Sequence, residues 1–210
     1  AVTTVAALEA LPGGITISDA CTADASLTVV SNSVASGTCP VVVTRTYTVT
    51  DLCGNSVNVV HIINVDDNTA PAVTGSLTPV TAEGCNVSVA PAAVTTVAAL
   101  EALAGGLAIT DACTPDAALV VTSSSVTSGT CPIVITRTYT ITDACGNAST
   151  IDHTINVDDT QAPVITGTIS ATTVEGCDVS AAPAAVATAA ALEALVGGIT
   201  ITDACTVDGS

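Results

Sequence analysis

The sequence contains no lysine, tryptophan, phenylalanine or methionine, and its only two basic residues are arginines. Nineteen acidic residues accompany them, which gives a formal net charge of −17. Nucleic acid and anionic membranes are therefore excluded as expected partners, because both bind proteins through basic surfaces. With two tyrosines as its only aromatic residues, the chain also lacks the large side chains that usually anchor interfaces. No apolar run reaches transmembrane length, so we expect no membrane insertion within this segment.

A shift of 92 residues superposes the chain on itself without a gap. Residues 1–11 are identical to residues 93–103, and a close variant follows at 185–195. A period of this length exceeds that of most solenoid repeats and equals a small β-sandwich domain. The sequence therefore predicts a segment of a longer array, with a partial repeat that lacks its first strand, one complete repeat and the N-terminal part of a third, at 1–66, 67–158 and 159–210.

The clearest secondary-structure pattern runs from Cys131 to Asn147. Apolar residues alternate with polar ones there, which predicts a strand with one buried face, at Ile133, Ile135, Tyr139 and Ile141. Asp-Ala-Cys-Gly-Asn then forms a turn into a second alternating run, so the two runs predict a β-hairpin. An Ala- and Leu-rich segment followed by two glycines predicts one or two helical turns in each repeat. The expected fold class is all-β: tandem immunoglobulin-like antiparallel β-sandwiches with a short helical segment per repeat, linked by disulfides.

Four cysteines recur at fixed positions in each repeat, which predicts disulfides and an oxidising, extracellular environment. In a sandwich with immunoglobulin-like strand order, cysteines at the same pole pair with each other. That rule predicts the bridges Cys21–Cys53, Cys85–Cys131 and Cys113–Cys145. Nearest-neighbour pairing, which joins Cys113 to Cys131 and Cys145 to Cys177, remains open. A metal-binding role for the cysteines has less support, because no Cys-x-x-Cys pair is present.

Two segments resemble a known family. Residues 136–147 read Thr-Arg-Thr-Tyr-Thr-Ile-Thr-Asp-Ala-Cys-Gly-Asn, and residues 155–163 follow the pattern Ile-Asn-Val-Asp-Asp-x-x-Ala-Pro. They resemble hyalin-repeat-like, immunoglobulin-type domains that are strung in tandem in giant secreted surface proteins of Bacteroidota. The resemblance implies export by the type IX system, a cell-surface location and a role in an adhesin, gliding appendage or filament. The near-absence of aromatic residues and the strong acidity depart from the family pattern.

The function expected from these observations is that of a shaft or stalk in a long extracellular filament or adhesin, which projects a distal tip. The expected partners are neighbouring repeats and further copies of the same chain, because Val60 and Ile62 fall on the outward face of their strand. The alternative is a repeat that itself binds glycan, ice or a host or prey surface. We expect no enzymatic activity, because no nucleophile, base and orienting group occur together.

The acidic joints between repeats are the best candidates for a binding site. The strands that lead into Asp111 and Asp143 end at the same pole of the sandwich as these joints. Calcium takes six to eight oxygen ligands, and the joints bring several carboxylate oxygens to that pole. The sequence therefore predicts calcium at the joints, held by Asp66, Asp67, Asn68, Asp111, Asp143, Asp158 and Asp159. The alternative is that these are solvated turn residues.

The remaining polar residues of interest fall on the same side of their strands as the core residues, and we expect them to be structural. Arg137 and Arg45 should pack their stems on the sheet and bond to carbonyls or acidic neighbours. Tyr139 should be buried with its hydroxyl bonded to backbone, as in a tyrosine corner. His153 and His61 occur once per repeat and are expected to be structural rather than catalytic or metal-binding.

Overall fold

The structure is a computed structural model that describes residues 1–206, so the last four residues of the predicted repeat 159–210 lie outside it. Most of the regular structure in this range is β-strand, as predicted. The strands are β1 (Thr28–Ser36), β2 (Val41–Thr50), β3 (Ser56–Val65), β4 (Ala72–Thr74), β5 (Val80–Glu83), β6 (Ala108–Thr110), β7 (Val120–Ser128), β8 (Ile133–Thr142), β9 (Ala148–Asp158), β10 (Val164–Thr166) and β11 (Thr200–Thr202).

One short helix occurs in each repeat, as predicted: α1 (Val5–Glu9), α2 (Val97–Glu101) and α3 (Ala189–Glu193). Each begins after a threonine whose hydroxyl accepts a hydrogen bond from the backbone N–H three residues later, at 3.2–3.3 Å. A threonine in this position satisfies one of the free N–H groups at a helix start. Shorter 3₁₀ turns lie at Asp24–Ser26, Val87–Val89, Asp116–Ala118 and Val179–Ala181.

The strands form four sheets in the described part of the chain. One has the order β1-β2-β3, and a second has the order β5-β9-β8-β7. In the second, β8 and β9 are neighbours, as the hairpin predicted after Cys131 requires. Their counterparts in the first sheet, β2 and β3, are paired antiparallel from Val41↔Val65 to Thr50↔Ser56. In the second, β5 runs parallel to β9, with Val80 opposite Ile155. The pairs β4-β6 and β10-β11 form two smaller sheets.

The chain divides into two compact units, each made of separate segments. The first unit contains residues 1–72, 109–120 and 141–149. Its core joins helix α1 to the sheet β1-β2-β3, through Val5, Leu8, Val29, Tyr47 and Val49. Tyr47 is only 1% exposed, so the large side chain of this repeat lies inside the core rather than on the surface.

The second unit contains residues 73–108, 121–140 and 150 onwards. Its core includes Ile135 from β8 together with Ile155 and Val157 from β9. Along both strands the buried residues alternate with half-buried or exposed ones, as the period of two predicted. Tyr139 is buried, and its hydroxyl accepts a hydrogen bond from Val94 N at 3.4 Å.

Arg137 and His153 are both buried in the second unit and have structural partners. Arg137 donates from Nη1 to the carbonyl oxygen of Pro91 at 2.8 Å and from Nε to Ser125 Oγ at 3.4 Å. His153 is buried, and its Nε2 lies 3.1 Å from the carbonyl oxygen of Thr78. The predicted structural role of both side chains fits these contacts.

The disulfides differ from every predicted pair. Cys39 is bonded to Cys145, and Cys85 is bonded to Cys205, with Cα–Cα distances of 5.2 and 4.8 Å. The predicted bridges Cys21–Cys53, Cys85–Cys131 and Cys113–Cys145 are therefore wrong, as is the nearest-neighbour alternative. Both predictions were confined to bonds within a repeat or between adjacent cysteines, whereas each bridge joins cysteines of consecutive repeats. The free cysteines are Cys21, Cys53, Cys113, Cys131 and Cys177.

Candidate functional site

The candidate site is the joint between the first two repeats, which lies in the first unit and connects β3 to β4. The turn between β8 and β9 holds the backbone of this joint. Asn147 Nδ2 donates to the carbonyl oxygen of Asp67 at 2.9 Å, and Ser149 Oγ donates to the carbonyl oxygen of Pro71 at 2.6 Å. The joint is therefore bonded at both ends to a part of the chain about eighty residues away.

The side chain of Asp143 organises that turn. Its Oδ1 accepts hydrogen bonds from the backbone N–H of Cys145 and of Asn147, both at 2.8 Å, and its Oδ2 accepts from Asn147 Nδ2 at 2.8 Å. Gly146 has φ +90°, a conformation that favours glycine. Burial favours the neutral carboxyl, but the hydrogen bonds from Asn147 and from the turn backbone outweigh it and lower the pKa of Asp143. Asp143 is therefore a buried carboxylate that stays ionised at neutral pH.

A second turn carries Asp111 after strand β6. Asp111 Oδ1 accepts hydrogen bonds from the backbone N–H of Cys113 at 2.9 Å and of Thr114 at 2.7 Å. The hydroxyl of Thr114, which is itself buried, accepts from Ala144 N at 3.2 Å. This bond ties the Asp111 turn to the Asp143 turn, so the two aspartates are held next to each other.

The structure brings three of the predicted calcium ligands together. One carboxylate oxygen from each of Asp67, Asp111 and Asp143 lies within 4.8 Å of the others. Asp67 Oδ2 is buried and has no hydrogen-bond partner among residues 1–206. The charge of Asp67 is the main cause of a raised pKa at the adjacent Cys113 thiol, ahead of burial. Such a group of carboxylate oxygens has the chemistry that a hard divalent cation prefers.

The other predicted ligands lie elsewhere. Asp66 Oδ1 is 3.4 Å from Cys39 Sγ, beside the disulfide. Because both cysteines near Asp66 are in that disulfide, this group has no thiolate to offer a metal. Asn68 is exposed. In the second unit, Asp158 Oδ1 accepts from the Cys131 thiol at 3.6 Å, and Asp159 Oδ1 accepts from Gln161 N at 3.0 Å.

The equivalent region of the first repeat is an open cleft of about 200 Å³. Asp19 and Asp51, which correspond to Asp111 and Asp143 after the 92-residue shift, both line it. The Asp51 turn has the same internal bonds, with Asn55 Nδ2 donating to Asp51 Oδ2 at 2.7 Å. The Asp51 turn therefore adopts the same geometry as the Asp143 turn without a joint bonded to it within residues 1–206.

The joint between the second and third repeats lies in the second unit and is held by residues that occupy no fixed position of a recognisable motif in the sequence. Thr160 donates to Glu83 from its backbone N–H at 3.0 Å and from its hydroxyl at 2.6 Å. Gly84 N donates to the carbonyl oxygen of Asp158 at 3.1 Å, next to the Cys85–Cys205 bridge. The bonds from Thr160 lower the pKa of Glu83. Nothing in the local sequence of Glu83 marks it as a partner of a residue 77 positions later.

No protein-family model matches the chain, and no curated protein is similar to it in sequence. None of the helices in residues 1–206 has the length and hydropathy needed to cross a membrane. The two disulfides fit a compartment outside the reducing cytoplasm.

Proposed function

We propose that this chain is part of the shaft of a long extracellular filament or adhesin, in which tandem repeats hold a distal tip away from the cell surface. The observation that carries the proposal is the pair of sulfur bridges that cross from one repeat to the next, Cys39–Cys145 and Cys85–Cys205. The backbone already joins consecutive repeats, and a sulfur bridge adds a second covalent link that limits how far the joint extends under tension. The resemblance to hyalin-repeat-like surface proteins supports the same function.

Each repeat is proposed to be an immunoglobulin-like β-sandwich. In the complete repeat, the sheet β5-β9-β8-β7 and the pair β4-β6 supply strands for two layers. The parallel pairing of a short early strand with the last strand, Val80 with Ile155, suits a sandwich whose first strand changes sheet. Tyr139 gives further support through its buried hydroxyl bonded to backbone, as in a tyrosine corner, although it lies near the end of its strand rather than near the start.

Calcium is proposed to stiffen the first joint. Asp67 belongs to the joint, whereas Asp111 and Asp143 belong to the turns on which the joint lies. A cation bound by all three would cancel their mutual repulsion and would fix the joint to the turns. A stiff joint is what a long projecting shaft requires.

Lateral association of identical shafts is proposed to thicken the filament. Val60 and Ile62 on β3 are 58% and 53% exposed, so this face offers apolar area to another copy. Their counterparts after the 92-residue shift are Asp152 and Thr154. Such contacts would therefore occur at some repeats of a shaft and not at others. A strictly monomeric mass for the chain in sedimentation would contradict this part of the proposal.

The alternative function, recognition of glycan, ice or a surface by the repeats themselves, has less support. Surface recognition commonly relies on exposed aromatic side chains. Tyr47 and Tyr139 are the only aromatic residues of the sequence, and each is 1% exposed. Binding of the purified chain to cells or polysaccharide would favour this alternative over the shaft.

Single-molecule stretching tests the shaft directly. When the ends of the oxidised chain are pulled apart, the shortest covalent path passes through the Cys85–Cys205 bridge. Roughly 90 residues can then extend instead of 210, which corresponds to roughly 300 Å against 700 Å at about 3.3–3.6 Å per residue. We expect the oxidised chain to stop near the shorter length and the reduced chain to reach the longer one. An oxidised chain that extended to the longer length would show that the bridge does not limit extension and would contradict the shaft.

A further inference from the structure

The two disulfides follow one rule when they are described by repeat position. Cys39 bonds a cysteine 106 residues further along the chain, and Cys85 bonds one 120 residues further. Both separations exceed the 92-residue period, so each bridge leaves its own repeat and ends in the next one. The 92-residue shift relates Cys39 to Cys131, Cys53 to Cys145, Cys85 to Cys177, and Cys21 to Cys113 and Cys205.

The same rule accounts for every free cysteine. Cys131 is equivalent to Cys39 and needs a partner 106 residues later, whereas Cys177 is equivalent to Cys85 and needs one 120 residues later. Cys53 needs a partner 106 residues earlier, and Cys21 and Cys113 each need one 120 residues earlier. All five partner positions fall outside the 210 residues of the sequence. Every cysteine whose partner position lies inside the sequence is bonded to that partner.

The free cysteines also have the local structure of the bonded ones. The sulfur of bonded Cys39 lies 3.4 Å from a carboxylate oxygen of Asp66, and the thiol of free Cys131 lies 3.6 Å from the corresponding oxygen of Asp158. The backbone N–H of bonded Cys205 donates to an aspartate two residues earlier at 2.9 Å. The N–H groups of the equivalent free cysteines do so at 2.9 Å as well, in Cys21 and Cys113. Bonding therefore requires no rearrangement of these turns.

We propose that two sulfur bridges join every pair of consecutive repeats, and that the five free cysteines are sites for oxidative cross-linking to a preceding and a following repeat of the same kind. An internal repeat then contributes two of its four cysteines to each neighbour. The repeats of such an array form one continuous covalent ladder, independent of whether the array acts as a shaft. Every joint between two repeats then contains the same two bridges, formed by four cysteines.

The chemistry is ordinary thiol–disulfide exchange. A small-molecule disulfide such as oxidised glutathione accepts the two electrons. Two protein thiols become one disulfide, two glutathione thiols are released, and both protons are retained on the released thiols. The five free cysteines are exposed to such an oxidant.

The test compares this chain with an extended chain in which residues 119–210 are repeated once after Ser210. Both are oxidised with glutathione, the free thiols are alkylated in denaturant, and the bridges are mapped by mass spectrometry. The appended copy adds four cysteines, yet the rule requires the number of free thiols to stay at five. Cys131 should bond the appended copy of Cys145, and Cys177 should bond the appended copy of Cys205.

Two results would overturn the proposal. One is a bridge within a repeat of either chain, such as Cys113–Cys131, and the other is an appended copy whose cysteines leave Cys131 and Cys177 free. The variant Cys205→Ser in the original chain supplies an independent readout that does not depend on folding of the appended repeat. It should release Cys85 alone and raise the number of free thiols from five to six. Pairing of the released Cys85 with Cys131 would contradict the rule.

Discussion

The side-chain amide of Asn147 donates a hydrogen bond to the backbone carbonyl oxygen of Asp67, eighty residues earlier, at 2.9 Å. The same nitrogen donates to Asp143 Oδ2, so one side chain both closes its own turn and holds the joint. Asn55, its counterpart in the first repeat, closes the equivalent turn through Asp51 at 2.7 Å. Among residues 1–206 it makes no bond to a joint, so the two asparagines differ by one hydrogen bond.

The first prediction uses this difference. Asn147→Ala should lower the free energy of unfolding more than Asn55→Ala, by about 0.5–1.5 kcal/mol, the typical net contribution of one hydrogen bond. Urea denaturation of both variants measures it. Both variants lose the equivalent bonds within their turns, and only Asn147→Ala also loses the bond to Asp67. Equal destabilisation by the two substitutions would show that the bond does not hold the joint.

The second prediction concerns calcium at Asp67, Asp111 and Asp143. At a hundredfold excess over Kd, bound calcium should add about 2.7 kcal/mol and raise Tm by about 5–10 °C relative to EDTA. Asp67→Asn should abolish this increase and should also stabilise the EDTA-treated protein, because it removes one of three adjacent negative charges. Thermal melts of both proteins measure the two effects.

The control for calcium is Asp116→Asn. Asp116 is exposed on a 3₁₀ turn of the same repeat and does not belong to the cluster. This variant should keep the full calcium effect. An unchanged Tm in calcium and in EDTA for the unmodified chain would reject the site.

The positions of the strands and helices could be predicted from the sequence, because each depends on the pattern of residues within a short stretch of chain. The alternation around Tyr139 predicted which face of β8 is buried, and an Ala- and Leu-rich run followed by two glycines predicted each helix. Part of the cluster was also predictable, because Asp111 and Asp143 each directly follow a strand. Asp66 was predicted beside Asp67 but lies near Cys39, since successive side chains leave an extended backbone on opposite sides.

The sulfur pairing was not predictable from a periodic sequence. Cys145 has the same neighbours in sequence whether its partner lies in its own repeat or in the previous one. Choosing Cys39 over Cys113 requires knowledge of how consecutive repeats meet, and that depends on long-range contacts such as Asn147 with Asp67. For the same reason the bond between Glu83 and Thr160 had no signal in the sequence.

The third prediction compares two adjacent glycines in the second unit. Gly105 and Gly106 both have positive φ, at +131° and +74°. A Cβ at Gly105 would collide with the backbone of Ser76 and Leu77, whereas one at Gly106 would meet open space. Gly106→Ala should therefore cost about 1–2 kcal/mol for the conformation alone, and Gly105→Ala about 3 kcal/mol or more because the clash adds to it. Urea denaturation measures both, and equal costs would show that the close approach is not required.

The fourth prediction is a pH dependence at the second joint. Hydrogen bonds from the Thr160 side chain and backbone lower the pKa of Glu83 below its ordinary value of 4.5. A lowered folded-state pKa means that these bonds stabilise the protein fully above the ordinary pKa and are lost as the pH falls through the folded-state value. Glu83→Gln should therefore be less stable than the unmodified chain at pH 7. The two unfolding curves should converge once the pH falls below the folded-state pKa of Glu83, where the carboxyl is protonated and resembles the amide.

Glu175 provides the matched control for this pH dependence. It is the counterpart of Glu83 after the 92-residue shift and has no hydrogen-bond partner in the part of the chain that the structure describes. Glu175→Gln should therefore leave the difference between pH 7 and pH 4 as it is in the unmodified chain. A constant difference between Glu83→Gln and the unmodified chain from pH 7 to pH 3 would instead show that the Glu83 carboxylate contributes through packing. The joint would then depend on the Cys85–Cys205 bridge and the Gly84 backbone bond rather than on this charge.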